Sequence, residues 1–206
     1  MTQQQDLERR EASTNLLRGR GFEGVDGLLR ALASEEMPVR AEAAFLLGQL
    51  GDKHAVEALQ AALNDQSARV RVEAASALAR LGEEAKARET LTTELDGAFF
   101  EDAPLRAARA LALLGDPAGW PRVTEALRSD LPSNRMEAVA VLPAFLPLRT
   151  AEIDPVAQLI AASKDSEEII RNDAIASLGQ IDDPRAAEAI RGAGGDAGNQ
   201  TTGRSD

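Results

Sequence analysis

The sequence contains no cysteine, which excludes disulfides and thiolate metal sites and suits a reducing compartment. It also has no tyrosine, one tryptophan and five phenylalanines, so its core must be packed by Ala, Leu and Val, side chains that favour close helix–helix contact. There is a single histidine. No Gly-x-Gly-x-x-Gly or phosphate-loop pattern occurs. No apolar run reaches membrane-spanning length, and the opening residues Met1-Thr2-Gln3-Gln4-Gln5-Asp6 carry no apolar signal region. Positive charge is in deficit: 23 Lys and Arg stand against 34 Asp and Glu, a formal charge of −11. The ratio is 5 to 5 in residues 1–33, 7 to 12 in 34–100 and 11 to 17 in 101–206, so the acidity lies in the middle and C-terminal parts. Such a chain repels phosphate backbones and anionic lipid, which argues against nucleic-acid or membrane partners. The expectation is an acidic, cytoplasmic, globular monomer.

What the chain does have is a repeat. Arg9-x-Glu11-Ala12, Arg40-x-Glu42-Ala43, Arg71-x-Glu73-Ala74, Arg135-x-Glu137-Ala138 and Arg171-x-Asp173-Ala174 are five copies of one pattern. Each has a leucine seven positions after the Arg: Leu16, Leu47, Leu78, Leu142 and Leu178. A degenerate copy fills the gap, with Pro104 at the Arg position, Arg106 at the acid position and Leu111 at the Leu position. The steps between starts are 31, 31, 33, 31 and 36 residues, a period that signals stacked repeats.

Each repeat reads as two helices. Ala43, Ala44, Leu46, Leu47 and Leu50 form a helical stripe that Gly51 ends, and Asp52 caps a second helix near His54–Asn64 carrying Val56, Leu59, Ala62 and Leu63. Gly82 and Gly115 repeat the stop, and Asp116-Pro117, Asp154-Pro155 and Asp183-Pro184 repeat the start, Pro suiting the first helical position. A last short helix is expected near Arg185–Arg191 with Ala187 and Ile190 inward, followed by a disordered Gly-rich tail over 192–206. Repeats are expected to start near 6, 37, 68, 102, 132 and 168, the first being a polar cap. Truncating a stripe residue such as Leu78 to Ala should cost roughly 2–5 kcal/mol.

The segments "VRAEAAFLLGQLGD", "VRVEAASALARLGE" and "IRNDAIASLGQIDD" resemble HEAT-like repeats of the phycobilisome-lyase type, across roughly residues 6–191. The resemblance implies an all-α fold, a right-handed, armadillo-like α-solenoid of about six helical hairpins. Its first helices would line the convex side and its second helices a concave docking side. The family includes bilin lyase subunits, phycobilisome-degradation factors, scaffolds and a deoxyhypusine hydroxylase branch that holds two irons with repeated His-Glu pairs. Here His54 is followed by Ala55, so that iron site is not matched.

Several residues are candidates for a role. Arg40, Arg71, Arg135 and Arg171 are expected to be a structural ladder, each reaching an acid or carbonyls in the preceding inter-repeat loop: Asp65 lies six before Arg71, Asp130 five before Arg135 and Asp165 six before Arg171. Outward positions on the second helices are the expected partner-binding set: Asp26, Arg30, Glu57, Gln60, Arg88, Thr92, Arg122, Glu125 and Gln158. Their mixed signs suit a protein surface rather than a nucleic-acid track. His54 reads as a surface residue near a helix start, and Glu35-Glu36 and Glu167-Glu168 as acids favoured before helices. "LLRGRGFEG", around Arg18 and Arg20, reads as a connecting turn. Trp120 shares a face with Val123 and Leu127 and is either core or an interface anchor. Phe99 and Phe100 lie at a repeat boundary. Pro143 and Pro147 should kink or end the fifth repeat's first helix, a break that changes curvature, hosts a partner or reflects drift.

No catalytic residue, metal ligand or cofactor is expected, which points to a non-enzymatic scaffold or interaction module docking a protein of unknown identity. An accessory subunit of a chromophore lyase is the alternative, and a solenoid nucleic-acid binder is the third reading.

Overall fold

The computed structural model describes residues 11, 14–15, 17, 21–97 and 103–199, with side chains to residue 193. The polar helix expected around Arg9, the turn residues Arg18 and Arg20, and the pair Phe99 and Phe100 lie outside the described residues. No strand occurs among the described residues. The helices are α1 Gly24–Ala31, α2 Met37–Leu50, α3 Val56–Ala62, α4 Ala68–Arg80, α5 Glu84–Glu94, α6 Ala103–Leu113, α7 Trp120–Ala126, α8 Pro132–Val141, α9 Pro155–Ala162, α10 Glu168–Leu178 and α11 Pro184–Asn199. Short 3-10 turns, Lys53–Ala55 and Pro117–Gly119, lead into α3 and α7. A longer one, Leu142–Leu148, follows α8. The chain is thus all-α, built from helical hairpins, and it divides into two compact units at Gly119 and Trp120.

In the first unit, α2, α4 and α6 are the first helices of successive hairpins, and α2 packs along α4. Gly48 permits that approach: a Cβ there would sit 2.6 Å from the Ala77 Cα. The Leu positions of the repeat pattern close the cores, for Leu47, Leu78 and Leu111 here and Leu142 and Leu178 in the second unit are all fully buried. Gly82 and Gly115 stop α4 and α6 with positive φ of 96° and 75°. In each case the following N–H, of Glu83 or Asp116, bonds at 2.9 Å to the carbonyl five residues back, of Leu78 or Leu111, which satisfies a helix-end acceptor.

Four second helices, or the 3-10 turns that lead into them, begin on aspartate caps, whereas α1 and α5 start at Glu23 and Glu83 without a side-chain cap. Asp52 accepts from the His54 N–H, Asp116 from Ala118, Asp154 from Ala157 and Asp183 from Arg185, at 2.9, 3.0, 3.1 and 2.8 Å. Three local readings differ from expectation. Leu50 is 54% exposed rather than part of the buried stripe, since the last turn of α2 rims a cleft instead of a neighbouring helix. Ala186, not Ala187, is the buried alanine of α11, and Ile190, one turn later on the same face, is half-buried. α11 also runs to Asn199, past the tail boundary expected at 192, since no proline or left-handed glycine stops it there.

Candidate functional site

The repeated arginine is built into the loop that precedes its own helix. Arg40 Nη1 donates to the carbonyls of Ser34 and Glu35 at 2.9 and 3.0 Å. Arg71 does so to Asp65 and Gln66 at 2.8 and 3.2 Å, Arg135 to Ser129 and Asp130 at 2.9 and 3.2 Å, and Arg171 to Asp165 and Ser166, both at 2.8 Å. The loop carbonyls sit five and six residues back because one helical turn brings the side chain beside them. The carboxylate partners come from elsewhere. Arg40 grips Asp65 with Nε and Nη2 at 2.7 and 2.9 Å, and Arg135 grips Asp165 at 2.8 and 2.9 Å. The acid therefore belongs to the following loop, not the preceding one. Arg71 grips Glu94, at the end of α5, at 2.6 and 2.9 Å, and leaves the exposed Asp96, which follows it by the same 25 residues as Asp65 follows Arg40, outside the clamp.

Each loop aspartate thus has two jobs. The Asp65 carboxylate takes Arg40 and the Ser67 N–H, while its carbonyl takes Arg71. The Asp165 carboxylate takes Arg135 and the Glu167 N–H, while its carbonyl takes Arg171. The Arg135 hydrogen bonds outweigh burial and hold the Asp165 carboxyl down at about 2. At Asp65 burial opposes the shift, but Arg40 and the Ser67 N–H still leave its pKa lowered.

The acid positions form a second, reciprocal set. Glu42 receives Arg69 and Glu73 receives Arg106, each at 3.2 Å from the following first helix. Near the second-helix starts of the second unit, Arg185 donates to Asp154 at 2.7 and 3.2 Å and to Asp183, and Arg149 reaches Asp183 at 2.7 Å. Arg185 foremost holds the Asp183 carboxyl at about 2. Arg69, Arg149 and Arg185 were not anticipated. For Arg69 and Arg185 the signal is a basic residue near a helix start with an aspartate cap or repeat acid one period away; Arg149, which ends the 3-10 segment, carries no such signal.

The outward second-helix residues fall into two groups. Asp26, Arg30, Glu57 and Thr92 in the first unit and Glu125 in the second are exposed, and Gln60 and Gln158 are half-buried. Arg88 does something else: it donates to Asp116 at 3.1 Å and to the Leu114 carbonyl, tying α5 to the next repeat. Arg122 has a largely covered side chain that meets Glu125 at 3.3 Å. His54 is 90% exposed at its side chain and bonds through Nδ1 to Asp52 at 2.8 Å. No group of three or more His, Cys, Asp or Glu among the described residues could hold a metal ion. No helix among them is long and apolar enough to cross a membrane.

At the fifth repeat α8 ends at Val141, just before Pro143, and the 3-10 segment carries Phe145 into the interior, fully buried. Trp120 packs its ring on Phe145, with centroids 5.3 Å apart and planes tilted by 55°, and its indole N–H donates to the Glu152 carbonyl at 3.1 Å. Half of Trp120 is therefore core and its polar edge is a strut to the loop beyond the break.

Comparison with known proteins gives two profile matches: HEAT repeats over residues 25–96 and the PBS lyase HEAT-like repeat over 170–193. No curated protein sequence matches the chain. Among solved structures, the chain is similar to one from the complex of CpcE and CpcF of phycocyanin lyase from Nostoc sp. PCC7120. The TM-score is 0.51 at 26% identity, over 88% of this chain and 74% of that one. It is also similar to YibA of E. coli, with a TM-score of 0.52 at 15% identity over 92% of this chain and 67% of that one, a likeness of fold alone.

Proposed function

We propose that this chain, a HEAT-like repeat protein of the phycobilisome-lyase type, is a non-catalytic scaffold that docks a protein partner on the outward side of the second helices of its first unit. The observation that carries the reading is a division of labour among its charges. The repeated first-helix arginines are bound up in loop carbonyls and carboxylates, whereas Asp26, Arg30 and Glu57 on the second helices of the first unit are exposed. Mixed signs with polar neighbours suit a protein surface, where charge sets registry and on-rate. The similar Nostoc structure is described as a complex of two proteins, which supports association as the role of the fold.

The test is affinity capture from the native lysate with the intact chain and with a variant carrying Arg30→Glu and Glu57→Lys. Arg88 is left alone because its reversal would break the Asp116 strut. Loss of the captured partner with an unchanged melting temperature supports the reading; a partner retained by the variant removes this face from it.

Similarity to a phycocyanin lyase structure favours one second reading, an accessory lyase subunit that handles a bilin. A cleft of about 250 Å³ lined by Leu17, Phe22, Leu28, Leu46 and Leu50 is smaller than the roughly 300–1,000 Å³ usual for ligand pockets, and it offers one aromatic ring for stacking. A flat bilin absorbance titration would remove this reading.

A further inference from the structure

The arginine ladder is complete at three rungs and half made at the fourth. Arg40, Arg71 and Arg135 each spend Nη1 on two loop carbonyls and give Nε and Nη2 together to one carboxylate. Arg171 makes the first half, with both carbonyl bonds at 2.8 Å, but among the described residues no carboxylate meets its Nε and Nη2. The cause is the second helix of its own repeat. α9 starts at Pro155, ends at Ala162 and turns, which returns Asp165 to Arg135. α11 starts at Pro184 and continues unbroken to Asn199, so Gly194, at the place of Asp165, offers neither a turn nor an acid.

The acid position of the same helix is open as well. Glu42 and Glu73 are shielded by Arg69 and Arg106 from the following helix. Asp173, their counterpart, is exposed, as is Asn172 beside it, where α4 carries the buried Val72. The chain itself holds a segment that satisfies both positions at once. In Asp65-Gln66-Ser67-Ala68-Arg69, Asp65 sits on Arg40 and Arg69 sits on Glu42.

We propose that the outer face of α10 binds a loop-to-helix segment of a partner protein in which an aspartate precedes an arginine by four residues. The aspartate is received by the Nε and Nη2 edge of Arg171 and the arginine by Asp173. The carbonyls of Asp165 and Ser166 already fix the guanidinium, so little side-chain freedom is lost on binding and a bidentate pair forms. The face carries the exposed Asn172 and Asp173 with Ile169, 58% exposed, one turn before them, so the two charged contacts set registry and weaken with salt. This inference rests on the reading of the chain as a protein-binding module but uses a different surface.

The probe is a fluorescein-labelled peptide of residues 62–81 of this chain, which contains Asp65 and Arg69, titrated with the full-length protein by fluorescence anisotropy. Saturable binding is expected, weakened about tenfold or more by Arg171→Ala or by Asp65→Asn in the peptide, with little further loss when both are combined. Arg171→Lys keeps the charge but not the fork and should remain weak. Because Arg171→Ala also frees two loop carbonyls, Asp173→Asn is the second variant: it should weaken the parent peptide several-fold and leave an Arg69→Ala peptide unaffected. Absence of binding, or affinity indifferent to Arg171 and Asp173, overturns the proposal. The Arg30→Glu, Glu57→Lys variant should bind the peptide normally, so failure here is separable from failure of the second-helix docking face.

Discussion

In the second repeat Arg40 reaches the aspartate of the following loop across 25 residues; in the fifth, Arg135 does so across 30. The clamps are otherwise alike, with Nε bonds of 2.7 and 2.8 Å and Nη2 bonds of 2.9 Å in both. The backbones between them differ. After α2 a left-handed Gly51 and the Asp52 cap lead directly into the next helix. After α8 two prolines force a 3-10 segment, and the Thr150–Ile153 turn follows, with the Thr150 N–H bonded to the Ile153 carbonyl at 3.0 Å. The extra residues are absorbed in the connection while the register of arginine, loop carbonyls and aspartate is kept. The repeat is thus held by its clamp and its buried leucine, and the length between them is free to vary.

The largest effect should come from the residue that makes the long connection possible. Phe145→Ala removes a fully buried ring and the support of Trp120, and should lower stability by about 3–5 kcal/mol. Leu78→Ala, at a regular repeat, should cost roughly 2–5 kcal/mol. Urea unfolding of both variants compares the two kinds of repeat. If Phe145→Ala is near neutral, the 3-10 segment is a passive insertion and not part of the core.

The clamps come next. Arg40→Ala strips a largely covered carboxylate, Asp65, and two loop carbonyls, of Ser34 and Glu35, of their donor, with an expected loss of about 1–3 kcal/mol. Double-mutant cycles pairing Arg40→Ala with Asp65→Asn, and Arg135→Ala with Asp165→Asn, should give coupling of the same sign. A coupling present in the first and missing in the second would mean that the longer connection had slackened the clamp.

Titration sharpens the same comparison. The folded Asp165 carboxyl sits at about 2 against an ordinary 3.8, held there chiefly by Arg135, and Asp183 also sits at about 2. A depressed folded pKa means that the unfolded chain binds protons first on acidification. The stabilisation is therefore complete above the ordinary carboxylate pKa and is lost as pH falls from about 4 through 2. In NMR titration, Arg135→Ala should raise the Asp165 midpoint toward 3.8, and the variant should lose less stability over that acid range than the parent. An unmoved midpoint would show that the loop N–H of Glu167 holds the carboxylate without the arginine.

How much of this was legible in the sequence depends on distance along the chain. Leu47, Leu78, Leu111, Leu142 and Leu178 could be placed inside from the period alone. The carbonyl half of the clamp is also local, five or six residues before each arginine. The carboxylate half is ambiguous in principle: Asp65 precedes Arg71 by six and follows Arg40 by 25, and the spacing does not say which arginine takes its carboxylate and which its carbonyl. Arg88 misled for another reason. A helical stripe gives the direction of a Cβ, not the reach of a long side chain, and its guanidinium extends across to Asp116 and the Leu114 carbonyl of the next repeat. The continuation of α11 past Gly192 went against the low helix propensity of glycine.

The smallest stability effect separates residues that the stripe treated alike. Arg30 is exposed at the end of α1, so Arg30→Glu should shift stability by no more than about 0.5 kcal/mol, as for surface substitutions without a committed partner. Arg88→Glu should be clearly more destabilising, since it places a carboxylate against Asp116 and a backbone carbonyl where a guanidinium donated to both. Thermal melts of the two single variants measure this difference without any knowledge of the partner. Equal melting temperatures would mean that the Arg88 strut contributes little and that Arg88 is available to a docking surface after all. A lower value for Arg88→Glu alone leaves Arg30 as the basic residue of the first unit's second-helix face that can be reversed without disturbing the fold, and any binding lost with it would then belong to the interface.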